Sequence, residues 1–127
     1  MSHVTTIKSE FKDEKALEAA IRDVFGSVER NVEMQAYMTS QNAQVALCVR
    51  KKTAYTLADL GWRRDGEVFA VVADGMDLER QEIAAKLQAL RQRYSYHVTV
   101  NAARTQGYTV REEKAEAGAI KLTLNRY

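Results

Sequence analysis

Tyr94, His97 and Asn101 fall at i, i+3 and i+7, so on a continuous helix they share a side with Leu90 and Val98. An imidazole in such a cluster can donate, accept or exchange a proton near neutral pH, which is the chemistry of general acid–base catalysis. The competing role is structural: histidine and tyrosine packed against a sheet, with their polar atoms satisfied by backbone. The structural role weighs more, because the sequence supplies no carboxylate or nucleophile beside the cluster.

His3 is the second of the two imidazoles. Beside His97 and a carboxylate such as Asp74 or Glu10 it would make a metal site, but two histidines at unrelated positions match no metal-ligand spacing. A hydrogen bond pinning the first strand is the simpler role, and no metal or other cofactor is expected. Trp62 and Arg63 lie by an expected turn and are residue types enriched at interface hot spots, as are Arg93 and Tyr96 in the histidine-bearing run, so these four are candidate partner-binding residues. Core filling accounts equally well for Trp62. Cys48, among apolar strand residues, reads as a buried inert thiol. The sequence has no glycine-rich phosphate loop, serine triad or CxxC pair, which argues against nucleotide hydrolysis, acyl transfer and thiol redox chemistry.

These residues must be held by elements that the hydropathy pattern outlines. Thr5, Ile7, Ser9 and Phe11 alternate with polar positions, predicting a first strand with one buried face. Asp13 is a suitable N-cap for a helix whose stripe is Leu17, Ala20, Ile21 and Val24, closed by Gly26. Val28 to Met38 and Val45 to Val49 predict a hairpin, and Arg50-Lys51-Lys52 a solvated basic turn. A fourth strand is expected over Tyr55 to Trp62, an Asp65-Gly66 turn after it, and a buried interior strand over Val68 to Ala73.

A second helix is expected to begin after Asp77 and to run to Gln106, with Ile83, Leu87, Leu90, Tyr94, Val98 and Ala102 as its stripe. Unbroken, it would be about 44 Å long, so it must overhang the sheet or bend, and the weak helix formers at Tyr94 to Val100 mark the expected bend. Its basic residues, Arg91 and Arg104 among them, read as a solvated face. Gly107 ends it, and two more strands follow, the last over Ile120, Leu122 and Leu124. Helix, glycine and hairpin thus occur twice. The expected fold is a single α+β domain over residues 1–127, with a mostly antiparallel sheet of about six to seven strands. Its order is β-α-β-β-β-β-α-β-β, with a pseudo-repeat and both helices on one face.

The composition suits such a domain: 127 residues, 46% hydrophobic and 28% charged, enough to bury somewhat under about 70% of the extended-chain surface. Nineteen basic against seventeen acidic side chains give +2, too balanced for wholesale phosphate neutralisation, so nucleic acid is not the expected partner. A single cysteine precludes an internal disulfide, and neither a signal peptide nor an apolar run of membrane-spanning length is evident. A reducing cytoplasm, with no membrane, is the expected setting.

The opening Met1-Ser2-His3-x-Thr5-Thr6-Ile7, the fragments Asp59-Leu60-Gly61-Trp62-Arg63 and Val71-Val72-Ala73-Asp74, the run Arg93-Tyr94-Ser95-Tyr96-His97 and the ending Ile120-x-Leu122-x-Leu124-x-Arg126-Tyr127 resemble the ycf thirty-five-like family of chloroplast, cyanobacterial and other bacterial proteins. The resemblance spans almost the whole chain. Where family members carry a tryptophan-rich turn, this sequence has Asp74-Gly75-Met76-Asp77, so no aromatic role transfers there. The resemblance implies an intracellular domain without assigned chemistry and suggests an AAA-type ATPase or a ferredoxin-like protein as partner. The expected function is a non-enzymatic interaction module, an adaptor or subunit of a larger assembly. A small-molecule or metal-dependent enzyme centred on His97, Tyr94 and His3 is the alternative, and RNA binding through the sheet a second one.

Overall fold

The computed structural model describes residues 4–37, 42–114 and 120–126. In chain order the elements are β1 (Val4–Lys8), α1 (Glu14–Phe25), β2 (Glu29–Met34), β3 (Ala43–Val49), α2 (Lys51–Ala54), β4 (Leu60–Asp65), β5 (Val68–Asp74), α3 (Gly75–Leu78), α4 (Gln81–Thr105), β6 (Tyr108–Lys114) and β7 (Ile120–Arg126). The architecture is α+β and every strand pairing is antiparallel. The expected single sheet is divided: five strands form one sheet in the order β1-β5-β4-β3-β2, and β6 and β7 form a separate ribbon.

Local chemistry sets α1 as the sequence suggests. The Asp13 side chain accepts the amide of Ala16 at 3.0 Å, and Gly26 closes the helix at φ 92°, where a Cβ would be strained. Leu17, Ala20 and Ile21 are fully buried and pack, with Leu90 of α4, on Leu47, Leu60, Trp62, Phe69 and Val71. Both long helices therefore cover the same side of the sheet. The pseudo-repeat is visible as Gly26 before the β2–β3 hairpin and Gly107, at φ 88°, before the β6–β7 ribbon, although only the first hairpin joins the main sheet.

Two expectations are corrected. The fourth strand does not begin at Tyr55: residues 51–54 form α2, Tyr55 adopts the left-handed conformation at φ 58°, and β4 starts only at Leu60. Two buried carboxylates hold this detour. Asp77 accepts the amides of Leu57 and Ala58, and Asp59 accepts those of Gln35 and Lys51 as well as the guanidinium of Arg50. The second helix does not bend at Tyr94 to Val100 either; α4 is continuous for 25 residues, about 37 Å, preceded by the single-turn α3. Tertiary contacts of Tyr94, Arg93 and His97 with α1 outweigh the low helix propensity of that stretch. The excess length appears as distal turns, with Val100 and Ala103 buried, that pack on the β6–β7 ribbon.

The opposite side of the sheet carries a smaller cluster of Met34, Val45, Cys48 and Val72. A Cβ on Gly61 would lie 2.6 Å from Val45 Cγ1 and 2.8 Å from Met34 Sδ, so only glycine lets these side chains meet across β4. Strand alternation slips in β3, where Ala46 and Leu47 both pack toward the helices while Val45 and Cys48 belong to the other side. Opposite the slip, Asn31 of β2 takes φ 51°. The outer edge of β2 is therefore kinked as well as charged, through Glu29, Arg30 and Glu33.

Candidate functional site

The helix α4 brings the histidine-bearing run against α1, but at two separate places. Tyr94 lies by the start of α1: its ring packs on Phe11, centroids 4.7 Å apart, and its hydroxyl oxygen accepts the amides of Lys12 at 2.9 Å and Asp13 at 3.0 Å. His97 reaches the other end, where its Nε2 is 2.6 Å from Asp23 Oδ2. Ten residues of α1, about 15 Å, separate the two contacts. Asn101 does not join them; it is exposed, and its carbonyl accepts the Thr105 hydroxyl.

Asp23, which no motif or spacing singles out, is the hub of the second contact. It also accepts Arg93 Nε at 3.0 Å, and the Arg93 guanidinium lies 4.3 Å over the Tyr96 ring, whose own plane stands edge-on to His97. Burial pushes the Asp23 carboxyl up, but hydrogen bonds from His97 and Arg93 overcome this and leave it below the ordinary aspartate range. A His–Asp pair can orient an imidazole as a base. Here the imidazole nitrogen facing the carboxylate is committed to it, and the Tyr94 hydroxyl is committed to backbone, so the two do not converge on one reacting atom.

The remaining candidates separate in the same way. Trp62 is fully buried in the main core, its ring edge-on to Phe25, and so fills the core rather than offering an exposed partner anchor. Its Nε1 is the one buried side-chain nitrogen or oxygen without a partner among the described residues. Arg63 is exposed on the side away from the helices, 3.4 Å from the Thr6 hydroxyl. Arg93 and Tyr96 are half-buried in the Asp23 contact. His3 lies outside the described residues. Asp74 is buried and caps α3 through the Met76 amide, and Glu10 is exposed. The Cys48 thiol is buried, and burial, aided by nearby Asp59, pushes it up to about 12. Among the described residues, no group of three or more His, Cys, Asp or Glu side chains is placed to hold a metal ion.

What the sequence did not announce is a groove beside β1. One row of paired residues crosses the helix side of the sheet from Ile7 through Val71 and Trp62 to Leu47. Exposure along that row falls from 46% to 8%, 0% and 1%, so α1 and α4 seal β3 and β4 and leave β1 open. The widths explain this: five strands at about 4.8 Å span roughly 24 Å, whereas two helices of about 10 Å cover roughly 20 Å. The buried face expected for β1 is thus only partly covered. The resulting groove has a volume of about 680 Å³ and is lined by Ile7, Lys8, Ser9, Glu10, Phe11 and Val71 on one side and Leu87, Leu90, Arg91, Tyr94 and Ser95 of α4 on the other. Phe11 is fixed by Phe69, whose amide it accepts at 2.8 Å, and the Ser9 hydroxyl donates to the Phe69 carbonyl. The groove is therefore an apolar trough with a polar lip, open along a strand edge.

Among the described residues, no helix is long and apolar enough to cross a membrane. No solved structure matches the chain. A similar curated protein is the "Uncharacterized protein ycf35" of Cyanophora paradoxa, 22% identical over 129 residues that cover 100% of this chain and 98% of that protein. Residues 20–123 match the family described as "Protein of unknown function (DUF1257)", and on a match of that extent the chain belongs to this family.

Proposed function

We propose that this protein is a non-enzymatic interaction module, an adaptor or subunit of a larger assembly, and that it receives its protein partner in the groove between β1 and α4. The observation that carries this reading is the exposure gradient along the Ile7–Val71–Trp62–Leu47 row, which leaves an apolar trough beside an otherwise sealed core. Ile7, nearly half exposed, would gain about 1 kcal/mol on being covered, as would the half-buried Leu87. By contrast, the hydrogen bonds of the Tyr94 hydroxyl oxygen and of His97 Nε2 with Asp23 join α4 to α1 and the residues that lead into it. A cytoplasmic setting suits the single buried thiol, and an AAA-type ATPase or a ferredoxin-like protein is the partner class that the family resemblance favours.

Co-purification from the organism that makes the protein tests this. Ile7→Asp and Leu87→Asp each place a charge in the trough, whereas Tyr55→Ala alters a residue that is 79% exposed and absent from the groove lining. The reading expects the two groove variants to lose a partner that wild type and Tyr55→Ala retain, with melting temperatures close to wild type. Retention of all partners by both groove variants would refute it.

A further inference from the structure

Resting on the groove as the partner site, we propose that the partner enters as an extended segment that pairs with the free edge of β1 as a sixth strand of the main sheet. It sets an apolar side chain over Ile7 and Leu87 and a carboxylate against Arg91. Strand addition of this kind takes affinity from main-chain hydrogen bonds and specificity from alternate side chains.

The two edges of the main sheet differ in the way this requires. The β2 edge is interrupted by the left-handed Asn31 and guarded by three charges. Among the described residues the β1 edge is less defended: Val4-Thr5-Thr6-Ile7-Lys8 runs in unbroken register with β5, without a left-handed residue, is rich in β-branched residues, and carries a single charge, at its end. An edge strand without a kink offers a row of main-chain donors and acceptors to another strand. A strand added at the usual spacing of about 4.8 Å would lie where the helix layer ends, and the side chains on its α4 side would fill the trough.

Charge selects the occupant. Arg91 stands exposed on the α4 lip of the trough and, among the described residues, makes no hydrogen bond or ion pair. Lys8, next to Ile7 in the strand, faces the other side of the sheet with Thr6 and meets Asp65 at 3.7 Å, and the lining's one carboxylate is the exposed Glu10, so Arg91 is the cation that the α4 side of the trough presents. An incoming strand that carries a carboxylate satisfies Arg91. A second copy of β1 does not, because Val4–Lys8 contains no acidic residue. The favoured occupant is therefore a partner protein's segment with an apolar and an acidic residue two positions apart, so that both face α4.

The test uses the full chain as bait for a phage-displayed library of random ten-residue peptides, followed by synthesis of the most enriched peptide and N-methylation of its amides one at a time. The proposal expects apolar and acidic residues at two-residue spacing and loss of binding on N-methylation at every second position. It also expects weakening by about tenfold or more in Arg91→Glu, as for a removed and reversed charge pair. Peptides that bind the groove with apolar residues three and four apart, and that tolerate N-methylation without a two-residue period, would overturn strand addition and leave the groove reading intact. No enrichment, or binding that Ile7→Asp does not change, would overturn both. Self-association of the chain that Ile7→Asp abolishes would make a second copy the occupant and so overturn the proposal.

Discussion

Replacing Tyr94 by Phe removes one oxygen and leaves the ring on Phe11, so it isolates what the hydroxyl does. In the structure that oxygen accepts two amides, Lys12 at 2.9 Å and Asp13 at 3.0 Å, at the entrance to α1. A hydrogen bond of this kind contributes about 0.5–1.5 kcal/mol net, and both amides lie in an exposed region where water replaces the lost partner, so the pair is worth about 1.5 kcal/mol. For a chain of this size that corresponds to a melting temperature lower by about 5 °C. Urea unfolding should show the same loss as a lower midpoint with an unchanged slope, since the surface exposed on unfolding is unaltered. Coupling offers a second check: Asp13→Ala weakens the same helix start through the Ala16 amide, so the double variant should depart from additivity. If Tyr94→Phe keeps wild-type stability but loses function in the cell, the hydroxyl acts on a partner or substrate and the structural assignment is wrong.

Further expectations concern the core and the titrating groups. Gly61→Ala forces a methyl onto Val45 and Met34 and should cost about 1–3 kcal/mol in chemical denaturation; a neutral result would show that these side chains move aside freely. With its thiol raised to about 12, Cys48 should resist iodoacetamide at pH 8 in the folded protein and react at once in denaturant. Its contribution to stability is complete below the ordinary thiol range, near 8.5, and declines as pH rises toward the folded value, so Cys48→Ala should flatten the alkaline limb of the stability profile. Glu18 is nearly buried, and its hydrogen bond from Arg30, against the cost of burial and helped by Arg22, holds its carboxyl below the ordinary range. That stabilisation is present above the unfolded pKa of about 4.3 and is lost as pH falls through the lower folded value, so Glu18→Gln should lessen acid destabilisation. An acid limb identical to wild type would contradict this.

Periodicity made α1, the β2–β3 hairpin, the buried β5 and the length of α4 legible, because each of these carries its own apolar stripe and its own cap or glycine stop. The detour through α2 was not legible: it depends on Asp59 and Asp77, whose carboxylates reach amides 8 to 24 residues away, and no local pattern encodes such reach. The straightness of α4 has the same origin, since Tyr94 and His97 are held by residues more than 70 positions distant. Alternation marks Ile7 as facing the helices and is correct about the face. It carries no information on how far the helix layer extends, and that extent turns a core position into the floor of a groove. Charge signals in the sequence likewise leave Arg91 indistinguishable from Arg93; only packing separates the arginine bound to Asp23 from the one left on the lip.

The groove assignment is tested most directly by position-dependent photo-crosslinking in the native cell, with a benzophenone amino acid placed at Ile7 in one variant and at Tyr55 in another. The account predicts that the Ile7 probe forms a discrete adduct with a partner protein, that the adduct disappears when Arg91→Glu is added, and that the Tyr55 probe forms no such adduct. Equal adducts from both positions, or none from Ile7 while Tyr55 is captured, would contradict it.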